Sequence, residues 1–137
     1  MQRIQSAEAI AGQGLAGDRY VAGAGSWNRG RPGKRQVTFV EAARVAAMFF
    51  EPEHTRRNIV TAGFDLEPLI ENPGTFFRAG TAVFSSVKYC DPCPRPSTLA
   101  GLGFSFKEAA ERCHGGGLIA EVVVGGMFSV EDEITVM

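Results

Sequence analysis

The feature that most constrains this chain is a series of short apolar runs joined by very tight connections. Thr75 to Phe77 and Thr81 to Tyr89 are separated only by Arg78-Ala79-Gly80, and Leu118 to Val124, Met127 to Val130 and Glu133 to Val136 are divided by Gly125-Gly126 and Glu131-Asp132. Beta-branched and aromatic residues dominate these runs, as a pleated, half-buried surface prefers. With 17 Gly and 7 Pro in 137 residues, turns are frequent. Strands that outnumber helices and connect tightly disfavour an alternating, doubly wound fold.

Upstream, Gln36 to Phe39 reads as a strand running into a helix, with Thr38 as N-cap and Glu41 as the other half of a capping box. The helix then covers Glu41 to about Phe50, packs Val45, Met48 and Phe49, and ends before Pro52. Asn58 to Thr61 is a strand introduced by Arg56 and Arg57, and Leu66 to Ile70 is a short helical piece. Ser105 and Glu108 form a second capping box for a helix from Phe106 to about Cys113, stopped by Gly115-Gly116-Gly117. Met1 to Ala16 carries only a weak pattern.

The expected fold is therefore mainly β: a mixed, mostly antiparallel β-barrel of about six or seven strands with a few short peripheral α-helices. Val60, Phe84, Val87, Val122, Val124 and Ile134 are expected to line its interior. A mass of 14.7 kDa, with no repeat and no composition shift, suits one domain over residues 1–137. Fourteen basic against fifteen acidic residues, a formal charge of -1, argue against nucleic acid as a partner. No apolar run of about 18 residues and no basic start with an apolar h-region are present, so a cytoplasmic protein with no membrane partner is expected.

Three cysteines in such a chain disfavour a disulfide framework and leave thiols, a metal or a reactive sulfur as options. Cys90-x-x-Cys93 has the spacing of half a zinc site, but only Cys113 and His114 could complete it, and neighbours on a helix end point apart. A thioredoxin-like dithiol wants a strand before it and a helix starting at the first Cys, which Pro96 so close behind opposes. A third reading uses charge. Arg95 lies two residues beyond Cys93, while Arg19, Arg56 and Arg57 sit at strand edges or in the long Gly-rich segment beside Asp18 and Trp27. Converging at one barrel mouth, they would lower a thiol pKa and grip phosphate or oxyanion groups. Against this stands the plain alternative of solvated arginines and a Cys93 buried as a small hydrophobe.

Five pieces in order carry a family resemblance: Gly14-Leu15-Ala16-Gly17-Asp18-Arg19-Tyr20; Arg35-Gln36-Val37-Thr38-Phe39; Arg57-Asn58-Ile59-Val60-Thr61-x-Gly63-x-x-Leu66; Gly80 before a strand leading to Cys90-x-Pro92-Cys93; and Gly117-Leu118-x-Ala120-x-Val122 with Gly125-Gly126. Together they resemble the MOSC domain, named for the C-terminal domain of molybdenum cofactor sulfurases and found also in small stand-alone bacterial proteins and amidoxime-reducing enzymes. The resemblance implies a mixed β-barrel that binds the molybdenum cofactor, a pyranopterin dithiolene with a terminal phosphate, and handles sulfur or molybdenum through a Cys. It assigns Cys93 as the catalytic and metal-ligating thiol; of the other two, Cys90 is expected at most to assist and Cys113 to pack on the face of a short helix. Arg57 and Asn58, and Asp18 and Arg19, match its cofactor-binding positions, and the charge reading adds Arg95 to that set.

Two activities are compatible with this, sulfur carriage or reduction of N-hydroxylated compounds; a delivery module without turnover, or a CxxC redox or metal-binding protein, are the alternatives. The sequence departs from relatives at Pro94-Arg95-Pro96 and in an upstream strand expected to be short or missing. Although sulfurase relatives are associated with pyridoxal phosphate, no Lys here suits such a site, so sulfur would come from a donor or acceptor protein partner.

Overall fold

The computed structural model of the chain describes residues 5–16, 36–47, 58–90 and 117–137. Its elements in chain order are β1 (Ser6–Ile10), β2 (Gly14–Leu15), β3 (Val37–Glu41), α1 (Ala42–Ala47), β4 (Ile59–Thr61), α2 (Glu67–Glu71), β5 (Phe76–Ala79), β6 (Ala82–Tyr89), β7 (Leu118–Val124), β8 (Gly126–Ser129) and β9 (Ile134–Val136). The protein is mainly β, with two short helices among the described residues.

Six strands form one mixed sheet in the order β4-β3-β7-β6-β5-β9, which curls into a half-barrel, and three form a second sheet in the order β2-β1-β8. Only β3 and β4 pair in parallel among the described residues. Every other pairing is antiparallel, as the tight connections require. The two sheets are continuous through β7, which passes Gly125 and becomes β8. They are stitched where Gly12 donates its N–H to the Val122 carbonyl at 3.0 Å.

The core lies on the concave face of the larger sheet. Phe39, Phe77 and Phe84 meet with ring centroids 5.3–5.4 Å apart, two pairs edge-on and Phe77–Phe84 stacked. Phe128 of β8 adds an edge-on contact to Phe84 at 5.8 Å, which ties the small sheet to the same core. Leu118, Ala120 and Val122 of β7 and Leu66 and Leu69 around α2 complete it. Arg44 on α1 pairs with Glu41 at 2.8 Å and reaches Glu67 and Asp65 at 3.3 and 3.4 Å, so α1 and the start of α2 are tethered on the surface.

Several sequence expectations change. Met1 to Ala16 holds two strands, because Ser6 to Ala9 find a partner in β8 and Ala9 and Ile10 pair with Leu15 and Gly14; the upstream strand is present and short, at five residues. Thr38 is no N-cap: it lies inside β3, and Glu41 ends that strand rather than closing a capping box. Arg78 and Ala79 pair with Val83 and Ala82, leaving only Gly80 and Thr81 for the hairpin turn. Gly126 opens β8 rather than sitting in a turn.

Of the six residues expected inside, Phe84 and Val122 are buried and Ile134 packs against the core. Val60 is 43% exposed, since Ile59 and Thr61 carry the inner phase of the edge strand β4. The β6–β7 register shifts between Val83 and Phe84 and again between Ser86 and Lys88. Each shift reverses the alternation locally, which turns Val124 outward at 49% exposure and leaves Val87 half-buried. The expected helix beyond Ala47 and the helix at 106–113 lie outside the described residues.

Candidate functional site

Strand β3 organises the region to which the sequence assigns chemistry. The residue that leads into it, Gln36, sits against Gly14, where an added Cβ would stand 2.7 Å from the Gln36 carbonyl oxygen. Gly14 and Gln36, which flank the segment holding Asp18 and Arg19, are thus brought together. Only glycine permits that approach, at a φ of 134°. The Gln36 side chain is also buried, and its Oε1 accepts the N–H of Val122 at 2.9 Å, taking over where β7 runs past the end of β3.

Two residues on, Thr38 and Asn58 form a reciprocal pair. Asn58 Oδ1 accepts the Thr38 N–H at 2.9 Å and the Thr38 hydroxyl at 3.1 Å, while the Asn58 N–H donates to Thr38 Oγ1 at 3.0 Å. This fastens the root of segment 48–57, which ends at Arg57. At the middle of β3, Phe39 pairs with Leu118, and Leu118 with Tyr89. The ends of segment 91–116, which holds Cys93 and Arg95, are then closed by the Cys90 N–H donating to the Gly117 carbonyl at 2.8 Å. Gly117 lies flat on β3, with a φ of 93° and the Phe39 carbonyl oxygen occupying the place of a Cβ.

All three segments therefore root within the five residues from Gln36 to Val40. Along a strand that is a span of roughly 13–17 Å. Of the residues assigned from the sequence, Asn58 is the one the structure describes; Asp18, Arg19, Arg57, Cys93 and Arg95 lie outside the described residues. Asn58 and Cys90 stand beside β4 and β6, with β3 and β7 between those strands. Cys90 is fully buried, which fits a packing role better than direct chemistry. Among the described residues, no group of three or more His, Cys, Asp or Glu is arranged to hold a metal ion. No described helix is long and apolar enough to cross a membrane.

Sequence reasoning misses Thr38 and Gln36. Thr38 followed three residues later by Glu41 imitates a helix start, and nothing local signals that its hydroxyl serves a residue twenty positions away.

A mixed half-barrel with a parallel β3–β4 pair and these glycine approaches belongs with the fold the five pieces resemble, and the family comparison agrees: the family model for the MOSC domain matches residues 32–135. The chain belongs to the MOSC domain family. Its backbone is similar to the crystal structure of YuaD from Bacillus subtilis, with a TM-score of 0.77 and 21% identity, over 98% of this chain and 86% of that one. It is similar also to YiiM from Escherichia coli, with a TM-score of 0.71 and 14% identity, over 98% of this chain and 63% of that one. For YiiM from Geobacillus stearothermophilus the TM-score is 0.66 at 14% identity, over 76% of this chain and 55% of that one. At such identities the likeness is one of fold. Comparison with curated proteins gave no match.

Proposed function

We propose that this MOSC protein binds the molybdenum cofactor and handles sulfur or molybdenum through Cys93. The observation that carries the reading is the common origin of three segments on β3: those bearing Asp18 and Arg19, Arg57, and Cys93 with Arg95 all start or end beside Gln36 to Val40. In this reading the side chains of these segments meet at one ligand, from roots that run from Gln36 and Thr38 at the start of β3 to Gly117 beside Val40. The described part of the set also fits the group chemically. Asn58 spends its carbonyl oxygen on Thr38, so what it can offer a ligand is its amide N–H groups, and phosphate and pterin oxygens are acceptors.

In this reading Arg57 and Arg19 supply guanidinium forks for the terminal phosphate, and Asn58 donates to a neighbouring oxygen. The charge of Arg95 would favour the Cys93 thiolate, a soft ligand suited to a sulfur-rich metal centre or to carrying a persulfide. When bound, the cofactor supplies two-electron redox chemistry at molybdenum. With a net charge of -1 on the whole chain, attraction of an anionic cofactor falls to local focusing by these arginines.

The test is purification from cells that make the cofactor, with molybdenum, pterin and a Cys93 persulfide measured together, and a reductase assay on N-hydroxylated bases to separate turnover from carriage. Molybdenum and pterin in equal amounts are expected. Arg57→Ala is expected to weaken cofactor retention by about 1.5–3 kcal/mol, the range for a hydrogen bond to a charged group. Absence of molybdenum, pterin and persulfide alike would overturn the proposal.

A further inference from the structure

The pair formed by Thr38 and Asn58 has a consequence for what can bind beside it. An amide oxygen has two lone pairs, and both of those on Asn58 Oδ1 are engaged, one by the Thr38 N–H at 2.9 Å and one by the Thr38 hydroxyl at 3.1 Å. The hydroxyl proton is committed to Oδ1, and the hydroxyl oxygen accepts the Asn58 N–H at 3.0 Å. A flipped amide would set Nδ2 against the Thr38 N–H, donor against donor, so the orientation is decided by the bonding pattern. Asn58 Nδ2 makes no hydrogen bond to the described residues, and the residue is only half-buried. Among the described residues here, its two N–H groups are the donors left for a ligand.

We infer that Thr38 is a positioning residue that locks the Asn58 amide and makes this corner of the site donor-only, selecting an oxyanion or carbonyl oxygen and rejecting groups that can only donate. The proposal deepens the cofactor reading and rests on it for the identity of the ligand; the lock itself is a property of β3 and β4. The matching ligand group is one that accepts without donating, as a doubly ionised phosphate or a molybdate oxygen does. An ammonium placed there would meet donor against donor, whereas a hydroxyl would be held only through its oxygen, as an acceptor.

The test uses the whole chain, inorganic phosphate and molybdate as probes, and the Asn58 side-chain amide signal in a proton–nitrogen NMR spectrum. In the native protein that signal is expected to move on titration with either anion. Asn58→Asp keeps an acceptor for both Thr38 groups but replaces the N–H groups with a charged oxygen. It is expected to keep its unfolding midpoint within a few degrees and to lose anion affinity by roughly ten- to a hundredfold. Thr38→Val removes the hydroxyl at nearly constant shape and is expected to lose affinity about tenfold and to broaden or shift the Asn58 signal, while Thr38→Ser restores both.

Unchanged anion affinity in Asn58→Asp, or a native Asn58 signal indifferent to both anions, would overturn the inference. So would a Thr38→Val protein that binds like the native one. Should Thr38→Val fail to fold, the Asn58→Asp and Thr38→Ser results decide the matter. A protein that carries molybdenum and pterin but shows no Asn58 response would keep the cofactor reading and lose this one. An Asn58 response in a protein that never acquires the cofactor would do the reverse.

Discussion

At Gly117 the backbone has a φ of 93° and the carbonyl oxygen of Phe39 stands where any Cβ would go. Two separate costs therefore fall on Gly117→Ala, a left-handed conformation that L side chains resist and an overlap with backbone that cannot rotate aside. Destabilisation of at least about 2 kcal/mol is expected, read as a lower urea midpoint with an unchanged slope. Because Gly117 closes segment 91–116 against Cys90, the same variant should also expose Cys90 to alkylation. A Gly117→Ala protein as stable as the native one would mean that β3 and β7 separate easily at this end. In the sequence the residue is legible as part of a glycine run that stops a helix; that it must lie against Phe39 depends on a strand nearly eighty positions away.

Among elements, β7 shows how one strand serves two sheets. It pairs with β3 only as far as Ala120, opposite Val37, and beyond that Val122 takes its bonds from the Gln36 side chain and from Gly12. Gln36→Leu would keep the buried volume close to native and leave the Val122 N–H without its acceptor, at a cost of about 1–3 kcal/mol. Chemical unfolding of the variant checks this, and a loss well below that range would show that water or a neighbour replaces the amide.

The strands whose residues carry strong β preference, β6 and β7, are legible from residue type alone. The strands β1 and β2, built of Ser6-Ala7-Glu8-Ala9-Ile10 and Gly14-Leu15, are not, because their strand character comes from pairing with β8 and with each other rather than from propensity. The register shifts in β6–β7 are equally hidden. Strict alternation from Val122 puts Val124 inside, and only the opposing strand reveals the extra residue that turns it out.

At the scale of the molecule, one aromatic cluster holds both sheets, since Phe39, Phe77 and Phe84 come from three strands of the larger sheet and Phe128 from the smaller. Opening either sheet exposes the shared cluster, so the centre should unfold as one unit while the rims open alone. Hydrogen exchange is expected to be slowest at the amides of β3, β6 and β7. It should be faster by orders of magnitude at β9 and β2, edge strands with a neighbour on one side among the described residues. Exchange in β9 as slow as in β7 would show that its outer edge is covered.

What the sequence by itself determined is the class of fold, through β-branched runs too tightly joined to be anything but mostly antiparallel, and the family, through five motif pieces in order. Those are properties of spacing and residue type, which a chain carries whether folded or not. Only the tertiary structure decided that Thr38 serves Asn58 instead of a helix, that Gln36 supplies a bond to β7, and that three separate segments root on one strand. The two hydrogen-bonded pairs join residues 20 and 86 positions apart, and a bond across such a distance is specified by where the backbone brings its ends rather than by the residues on either side of them.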